Sequence, residues 1–529
     1  MIRTKLLADP EGVFLHNAVL AACERFPNNT ALVDTSTPDS PLRITYAQYG
    51  ELVTRLARGL VAAGIRPGDF VAIFLPNSWE HAALLNATTL AGAAPTMLNP
   101  AYREREVRYQ LENSGARILV TDAPLIKGMN LSGLPELKAV YTTRCAAGMG
   151  DLPFQQLLKP LSAPLPRPGK RSDETIAALP YSSGTTGLPK GVMLSHRNLV
   201  ANVYQTYGPE ALPYHDDQRL LCYLPLYHIY GLNVLLNPTL MLGATAVLMP
   251  RFNLDQALRL MVSERITTAP SVPPIINQYC HAAEEGRFPK DNSLQWIKSG
   301  AAPLPPELGR RFMELTGVKL TQGYGMTEAS PVTHLGRVRK AEYSPVNSIG
   351  QPVAKTDCRI VAFDGDRERD AAIGEPGELV MRGPQFMLGY WKSPECTADV
   401  MRDGWYWSGD VATCDEEGWY RIVDRRKEMI KYKGFPVAPA EIEAVLLEHP
   451  SVRDCGVVGR PDPEACEIPC AFVVLREGIP DSQKTRDDIC GFVNERMANY
   501  KQPREIRFVQ AIPRNPSGKI LRRELRAGL

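Results

Sequence analysis

At 529 residues the chain is too long for one compact core, so two to four lobes are expected. Its 60 basic and 58 acidic residues leave a net charge of +2, which removes any general electrostatic case for nucleic acid or an anionic membrane surface. The composition, 44% hydrophobic and 22% charged, is that of a soluble globular protein, and the 11 scattered cysteines lack zinc-site spacing, so reduced thiols in a cytoplasmic protein are expected.

The first seven residues carry no long apolar core and do not read as a signal peptide. Leu52, Leu56 and Leu60 recur at helical spacing and predict a helix over 46–63 that ends near Gly64. Residues 70–75 read as a buried strand, 104–111 as a helix and 117–121 as the next strand. This rhythm predicts an α/β class with layered, largely parallel sheet. A proline-rich connector covers 161–170, and a short strand follows over 176–180. Further strands are expected at 220–224, 245–249, 266–268 and 296–298, with helices between them. The apolar stretch 234–249 is broken by Asn237, Pro238 and Gly243 and is too short to span a bilayer, so no stable membrane insertion is expected. From 349 to 423 short strands and glycine turns predict a β-rich subdomain. The expected division is a large N-terminal domain over 1–423, a hinge over 424–428 and a small mobile α+β C-terminal domain over 429–529. In the last, helices are expected at 439–448 and 486–497, strands at 455–459 and 471–475, and a closing loop that carries Lys519.

One stretch concentrates chemistry. Ser182, Ser183, Gly184, Thr185, Thr186, Gly187 and Lys190 gather hydroxyls, glycines and a cation after a strand and before a helix start near Ser195. Inward-pointing backbone N–H groups of such a turn, with a lysine, suit a polyphosphate. Gly187 is followed by Leu188 and Pro189, so the run is not a Walker A loop. The plain alternative is a flexible surface loop. Further on, Gln322, Gly323, Tyr324, Thr327 and Glu328 follow a strand. Tyr324 could stack on a purine, Thr327 could bond a phosphate, and Glu328 offers Mg²⁺ the oxygen ligand it prefers. A structural turn is the competing reading there, as a turn carboxylate is for Asp410 and a solvated charge for Lys519.

Together these runs resemble the adenylate-forming enzymes: acyl-CoA synthetases, aryl-CoA ligases of the 4-coumarate type, luciferases and the adenylation domains of peptide synthetases. The resemblance spans most of the chain. It implies an ATP-dependent carboxylate–CoA ligase that makes an acyl-adenylate and then an acyl-CoA thioester, with ATP, Mg²⁺ and coenzyme A. It implies that 182–187 and Lys190 hold phosphates, that Gln322, Gly323 and Tyr324 meet the adenine, and that Thr327 meets the α-phosphate. Glu328 would hold the metal, Asp410 the ribose with help from Arg425, and Lys519 would bridge the acid and the α-phosphate. Lys427 would be the pivot. Lys431 would then swing in for the second step, with Lys433, Gly434 and Phe435 along the path of coenzyme A. Relatives often carry glutamine where this chain has Pro436, so that side chain's role is not carried over. His228 would gate an acyl pocket formed with Ile229, Tyr230, Lys298, Ser299, Gly300, Ala301, Gly323, Pro331 and Val332. Ile229 stands near where amino-acid-activating relatives carry an aspartate, which argues against amino-acid substrates. The small or apolar lining favours a fatty or an aryl or arylpropenoic acid. Release of the adenylate to a carrier protein, a luciferase-like oxidation and simple nucleotide binding remain alternatives, and the oligomeric state is open.

Overall fold

The structure is a computed structural model that describes the chain except for residues 1–11, 38–39, 144–151, 160–161, 168, 170, 183–187, 208–211, 213–214, 338–344, 365–366, 434 and 516–517.

Thr45 starts the first long helix through a reciprocal cap. Its hydroxyl accepts from the Gln48 N–H at 3.3 Å, while the Gln48 side chain accepts from the Thr45 N–H at 2.9 Å. The helix runs Tyr46–Ala62 and stops at Gly64, whose φ of 100° suits glycine. Its buried stripe of Tyr49, Val53, Leu56 and Leu60 packs on the helix Trp79–Leu90, where the Tyr49 hydroxyl donates to the Ala82 carbonyl at 2.8 Å.

The strand Phe70–Phe74 is apolar throughout because it is covered on both sides. Val71 and Ile73 enter the main core, whereas Phe70, Ala72 and Phe74 join Val107 and Leu111 of the helix Glu104–Ser114 in a second cluster. It lies inside an all-parallel sheet ordered Ala94–Met97, Phe70–Phe74, Ile118–Thr121, Ala139–Thr142, Leu152–Pro153. A second sheet runs Leu42–Thr45, Thr30–Asp34, Thr245–Leu248, Arg219–Cys222. Single bridges at Thr268 carry it on to Trp296–Ser299 and Lys319–Gly325. The strand expected at 266–268 is therefore only a pair of bridges.

The apolar stretch after 230 departs from a regular helix. Gly231–Leu236 is a π-helix that passes into the α-helix Asn237–Leu242. Pro238 has no N–H to give the Val234 carbonyl four residues back, and the Tyr207 hydroxyl donates to that carbonyl at 2.6 Å instead. Among the described residues no helix is long and apolar enough to cross a membrane.

The expected β-rich region is an antiparallel sheet of Arg367–Asp370, Asp357–Asp364, Gly377–Arg382, Trp405–Cys414 and Met401–Arg402, with Tyr420–Arg425 paired to Trp405–Cys414. After 430 the chain builds its own core, in which Ile430, Ile442, Leu446, Val457, Val473, Ile489 and Val493 pack together. The strands there are Ile430–Tyr432, Phe435–Val437, Val452–Asp462, Cys466–Leu475 and Glu505–Phe508, with helices Pro439–Glu448 and Gln483–Arg496. A short helix, Arg522–Ala527, follows the closing loop where only a loop is expected from sequence; Leu525 is its one buried side chain.

Candidate active site

The strand Lys319–Gly325 and the turn Thr327–Ala329 carry the central motif. The strand runs through Gly325, so most of the motif is sheet rather than the turn that was the competing reading. Glycine is obligatory at 325, since a Cβ there would lie 1.8 Å from the Pro331 carbonyl oxygen. Asn202, fully buried on the helix His196–Tyr207, fixes the far side of this loop. Its side chain accepts from the Val332 N–H at 3.0 Å and donates to the Val332 carbonyl at 2.7 Å. The Gln322 amide serves the loop too, accepting from the Leu304 N–H at 3.0 Å and donating to the Ser348 carbonyl at 2.9 Å.

Tyr324, Asp410 and Arg425 meet, although 86 residues separate the first two. The Tyr324 hydroxyl donates to Asp410 Oδ2 at 2.5 Å, and Arg425 Nε lies 3.2 Å from Oδ1. Gly409, at φ 70°, turns the chain so that Asp410 faces inward. Glu378 holds that turn, accepting from the Gly409 N–H at 3.1 Å and from Arg426 at 2.7 Å.

Glu328 is only 8% exposed and makes no ion pair among the described residues. Its Oε1 accepts from the Tyr390 hydroxyl at 2.8 Å, and its backbone carbonyl accepts from the Met387 N–H at 2.8 Å. A buried carboxylate with no cation of its own fits a divalent ion that prefers oxygen ligands. Lys190 stands nearby, its ammonium 5.2 Å from the centre of the Tyr390 ring, and Ser182 pairs with Lys190 across the strands. Ser183, Gly184, Thr185, Thr186 and Gly187 lie outside the described residues.

Lys519 reaches this centre from the small domain. Asn515 brackets its loop, donating from its N–H to the Lys519 carbonyl at 2.9 Å and accepting the Lys519 N–H on its side chain at 2.8 Å. Gly518 rests on the large domain, where a Cβ would sit 3.3 Å from the Pro274 ring. Burial, then the Arg425 guanidinium, lower the Lys519 ammonium to about 8, against an opposing pull from Asp410.

Several of the residues expected to line an acyl pocket also come together. The Tyr230 hydroxyl donates to the Lys298 carbonyl at 3.0 Å and to the Ser271 carbonyl at 3.3 Å, which fixes the ring. A Cβ on Gly300 would lie 3.2 Å from that ring, and one on Gly323 would lie 2.8 Å from Lys298 Cε. Ile229, Ser299 and Val332 are buried beside them, while Ala301 is exposed. Lys298 is the charged member of an expected lining that is mostly small or apolar. It is 2% exposed, its ammonium has no hydrogen-bond partner among the described residues, and burial lowers it to about 7. His228 is half-buried; its Nδ1 accepts from the Tyr230 N–H at 3.2 Å, which leaves any ring proton on Nε2, and burial lowers it to about 4.

Lys431 and Lys433 stand apart from this cluster. Both are exposed on the small domain, where their N–H groups donate to Glu467 and to the Ala465 carbonyl, each at 2.8 Å. Gly434 lies outside the described residues, and Phe435 belongs to a short strand of the same hairpin. Lys427 is exposed between two clamped neighbours: Arg426 pairs with Glu378 at 2.7 Å, and Glu428 pairs with Arg526 at 2.6 Å. Asp424 crosses the boundary, accepting the Ala440 N–H at 2.9 Å.

Sequence reasoning missed Asn202, Glu378 and Tyr390. None stands in a polar run, and Tyr390 meets Glu328 across 62 residues, so only the packed chain reveals them.

Two family models match this chain: AMP-binding enzyme over residues 19–391, and AMP-binding enzyme C-terminal domain over 441–519. It is 38% identical over 528 residues to 4-coumarate-CoA ligase 1 of Narcissus pseudonarcissus, covering 98% of this chain and 94% of the relative. The structure superposes with a TM-score of 0.85 on the anthranilate CoA ligase AuaEII in complex with anthranoyl-AMP, at 27% identity over 98% of this chain and 97% of that one. A benzoate CoA ligase from Burkholderia xenovorans LB400 also gives 0.85, at 26% identity over 97% of this chain and all (100%) of that one.

Proposed function

This chain belongs to the AMP-binding enzyme family, and from that premise we propose that it is an ATP-dependent aryl- or arylpropenoic-acid–CoA ligase whose acid carries a ring hydroxyl. The observation that carries the substrate class is Lys298. A desolvated amine with no hydrogen-bond partner costs free energy unless something satisfies it, and the Tyr207 ring, its centre 6.0 Å from the Lys298 ammonium, supplies only a weak contact. A phenolic hydroxyl at the far end of a flat acid would do so; glycine at 300 and 323 lets the Tyr230 ring and the Lys298 stem pack close to the backbone there. A fatty chain would leave the amine unsatisfied.

In the first half-reaction the substrate carboxylate attacks the α-phosphorus of ATP and pyrophosphate leaves. Asp410 spends one bond on Tyr324 and one on Arg425; an ionised carboxylate has about four acceptor positions, so room remains for ribose hydroxyls. Lys519 and the Thr327 hydroxyl stabilise charge gathering on the α-phosphate and the entering carboxylate. Glu328 would hold Mg²⁺, which would supply neutralisation of phosphate charge when bound. Lys190, with the run from Ser182 to Gly187, orients the outer phosphates.

In the second half-reaction the thiol of coenzyme A attacks the acyl carbonyl and AMP leaves. The small domain, 429–529, turns about Lys427 against the large domain, 1–423, and replaces the Lys519 loop with the hairpin of Lys431, Lys433, Gly434 and Phe435. Rotation lets one site use two faces in turn. Unpaired cysteines among the described residues suit a reducing, cytoplasmic setting.

The test is a mass-spectrometric screen for thioesters with ATP, Mg²⁺ and coenzyme A. Benzoate, phenylacetate and cinnamate would be offered with and without ring hydroxyls, beside fatty acids of graded length. Preference for hydroxylated aryl acids is expected, and Lys298→Leu should reverse it toward the unhydroxylated ones. Preference for fatty acids would contradict the substrate class. Adenylate without thioester from every acid would replace coenzyme A by a carrier protein.

A further inference from the structure

We propose that Tyr390 is a positioning residue for the first half-reaction, holding Lys190 with its ring and Glu328 with its hydroxyl so that both charges stay free for the nucleotide; this rests on the function proposed above. Two opposite charges that converge on one ligand tend to pair with each other when it is absent. Tyr390 meets each in a different way. The Lys190 ammonium lies 5.2 Å from the ring centre, a contact that spends none of its three donors in a directed hydrogen bond. The hydroxyl donates to Glu328 Oε1 at 2.8 Å and leaves the carboxylate's other oxygen without a bonded partner among the described residues.

The tyrosine is itself held from three sides. Its N–H donates to the Thr397 hydroxyl at 2.9 Å, and that hydroxyl donates on to the Ser393 carbonyl at 3.0 Å. The strand Gly389–Tyr390 pairs antiparallel with Lys190–Ser195, matching Tyr390 to Val192 and Gly389 to Met193. Next along the chain, the Trp391 N–H donates to the Gly191 carbonyl at 2.8 Å. The strand that leaves the phosphate run and the turn that carries Glu328 are thus tied to one short segment, through Leu388 and Trp391 on one side and Met387 and Tyr390 on the other. Burial and the Glu328 charge push the phenol upward, so it remains a donor.

The experiment compares Tyr390→Phe and Tyr390→Leu with the unaltered protein. Tyr390→Phe keeps the ring under Lys190 and removes only the hydroxyl. It should lower kcat/KM for ATP in pyrophosphate release by about 10- to 100-fold, the worth of one hydrogen bond to a charged group. Thioester formation from a supplied acyl-adenylate should not change, and the melting temperature should fall by no more than a few degrees. Because Tyr390 acts through Glu328, Tyr390→Phe should add nothing to Glu328→Gln in the double variant. Tyr390→Leu should raise KM for ATP further, since it also frees Lys190. Calorimetric titration with a non-hydrolysable ATP analogue and Mg²⁺ makes the same comparison without turnover, with weakest binding expected for Tyr390→Leu. Unaltered kinetics and binding in Tyr390→Phe, equal loss in both half-reactions, or full additivity with Glu328→Gln would each overturn the inference. An unaltered protein that releases no pyrophosphate with any acid would sink the function itself, a separate result.

Discussion

Lys519 shows how burial sets the chemistry of one side chain. Burial and Arg425 disfavour its charged form and lower it to about 8, so in the free enzyme the cation is lost as pH rises through that value. In the proposed mechanism adenylation needs the cation. The kcat/KM of pyrophosphate release should therefore fall above about pH 8, because that ratio reports the free enzyme. The limb in kcat should lie higher, since bound phosphates favour the charged form. A profile flat to pH 10 would remove the cationic role. The sequence reaches Lys519 only through family resemblance; one lysine in a Pro-Ser-Gly loop is otherwise a solvated charge. Lys298 is reached the same way, but its lack of a hydrogen-bond partner was not legible, because it depends on Tyr207, Tyr230 and Gly323 closing around it.

Among the elements, the helix Pro439–Glu448 has an unusual start. Its N-cap, Ala438, offers no side-chain bond, and the cap comes instead from Asp424 on the far side of the hinge. A turn about Lys427 must break that bond. A helix cap is worth about 0.5–2 kcal/mol, so this one favours the present orientation over a rotated one by about 2- to 30-fold. Asp424→Ala should slow pyrophosphate release by about that factor without slowing thioester formation from a supplied acyl-adenylate; equal slowing of both would remove the latch. The neighbouring pairs Arg426–Glu378 and Glu428–Arg526 bind the two sides of Lys427 to different domains. Helices with a clear period and cap, such as Tyr46–Ala62, are legible from sequence. The π-helix Gly231–Leu236 is not, because Tyr207 supplies the bond that Pro238 cannot.

At the scale of the molecule, the βα rhythm and the late β-rich zone were readable because the early strands are apolar runs covered on both faces and glycines and turn residues punctuate the later ones. The way the parts come together was not. Asp410 meets Tyr324, Glu328 meets Tyr390, and the Gly518 loop rests on Pro274, all across long separations that no local pattern encodes. The near-neutral charge, +2, leaves recognition to these buried contacts rather than to long-range steering. The orientation described places Lys519 beside Asp410 and Arg425 and leaves Lys431 exposed, which is the arrangement the proposed first half-reaction would use.

The measurement that bears most directly on a site with two alternating faces uses Lys519→Ala in both half-reactions. Pyrophosphate release from ATP and the best acid of the thioester screen should fall by about 100-fold or more, as for loss of a group that stabilises transition-state charge. Thioester formation from the corresponding purified acyl-adenylate and coenzyme A should stay near that of the unaltered enzyme. Equal loss in both would contradict the two-face mechanism.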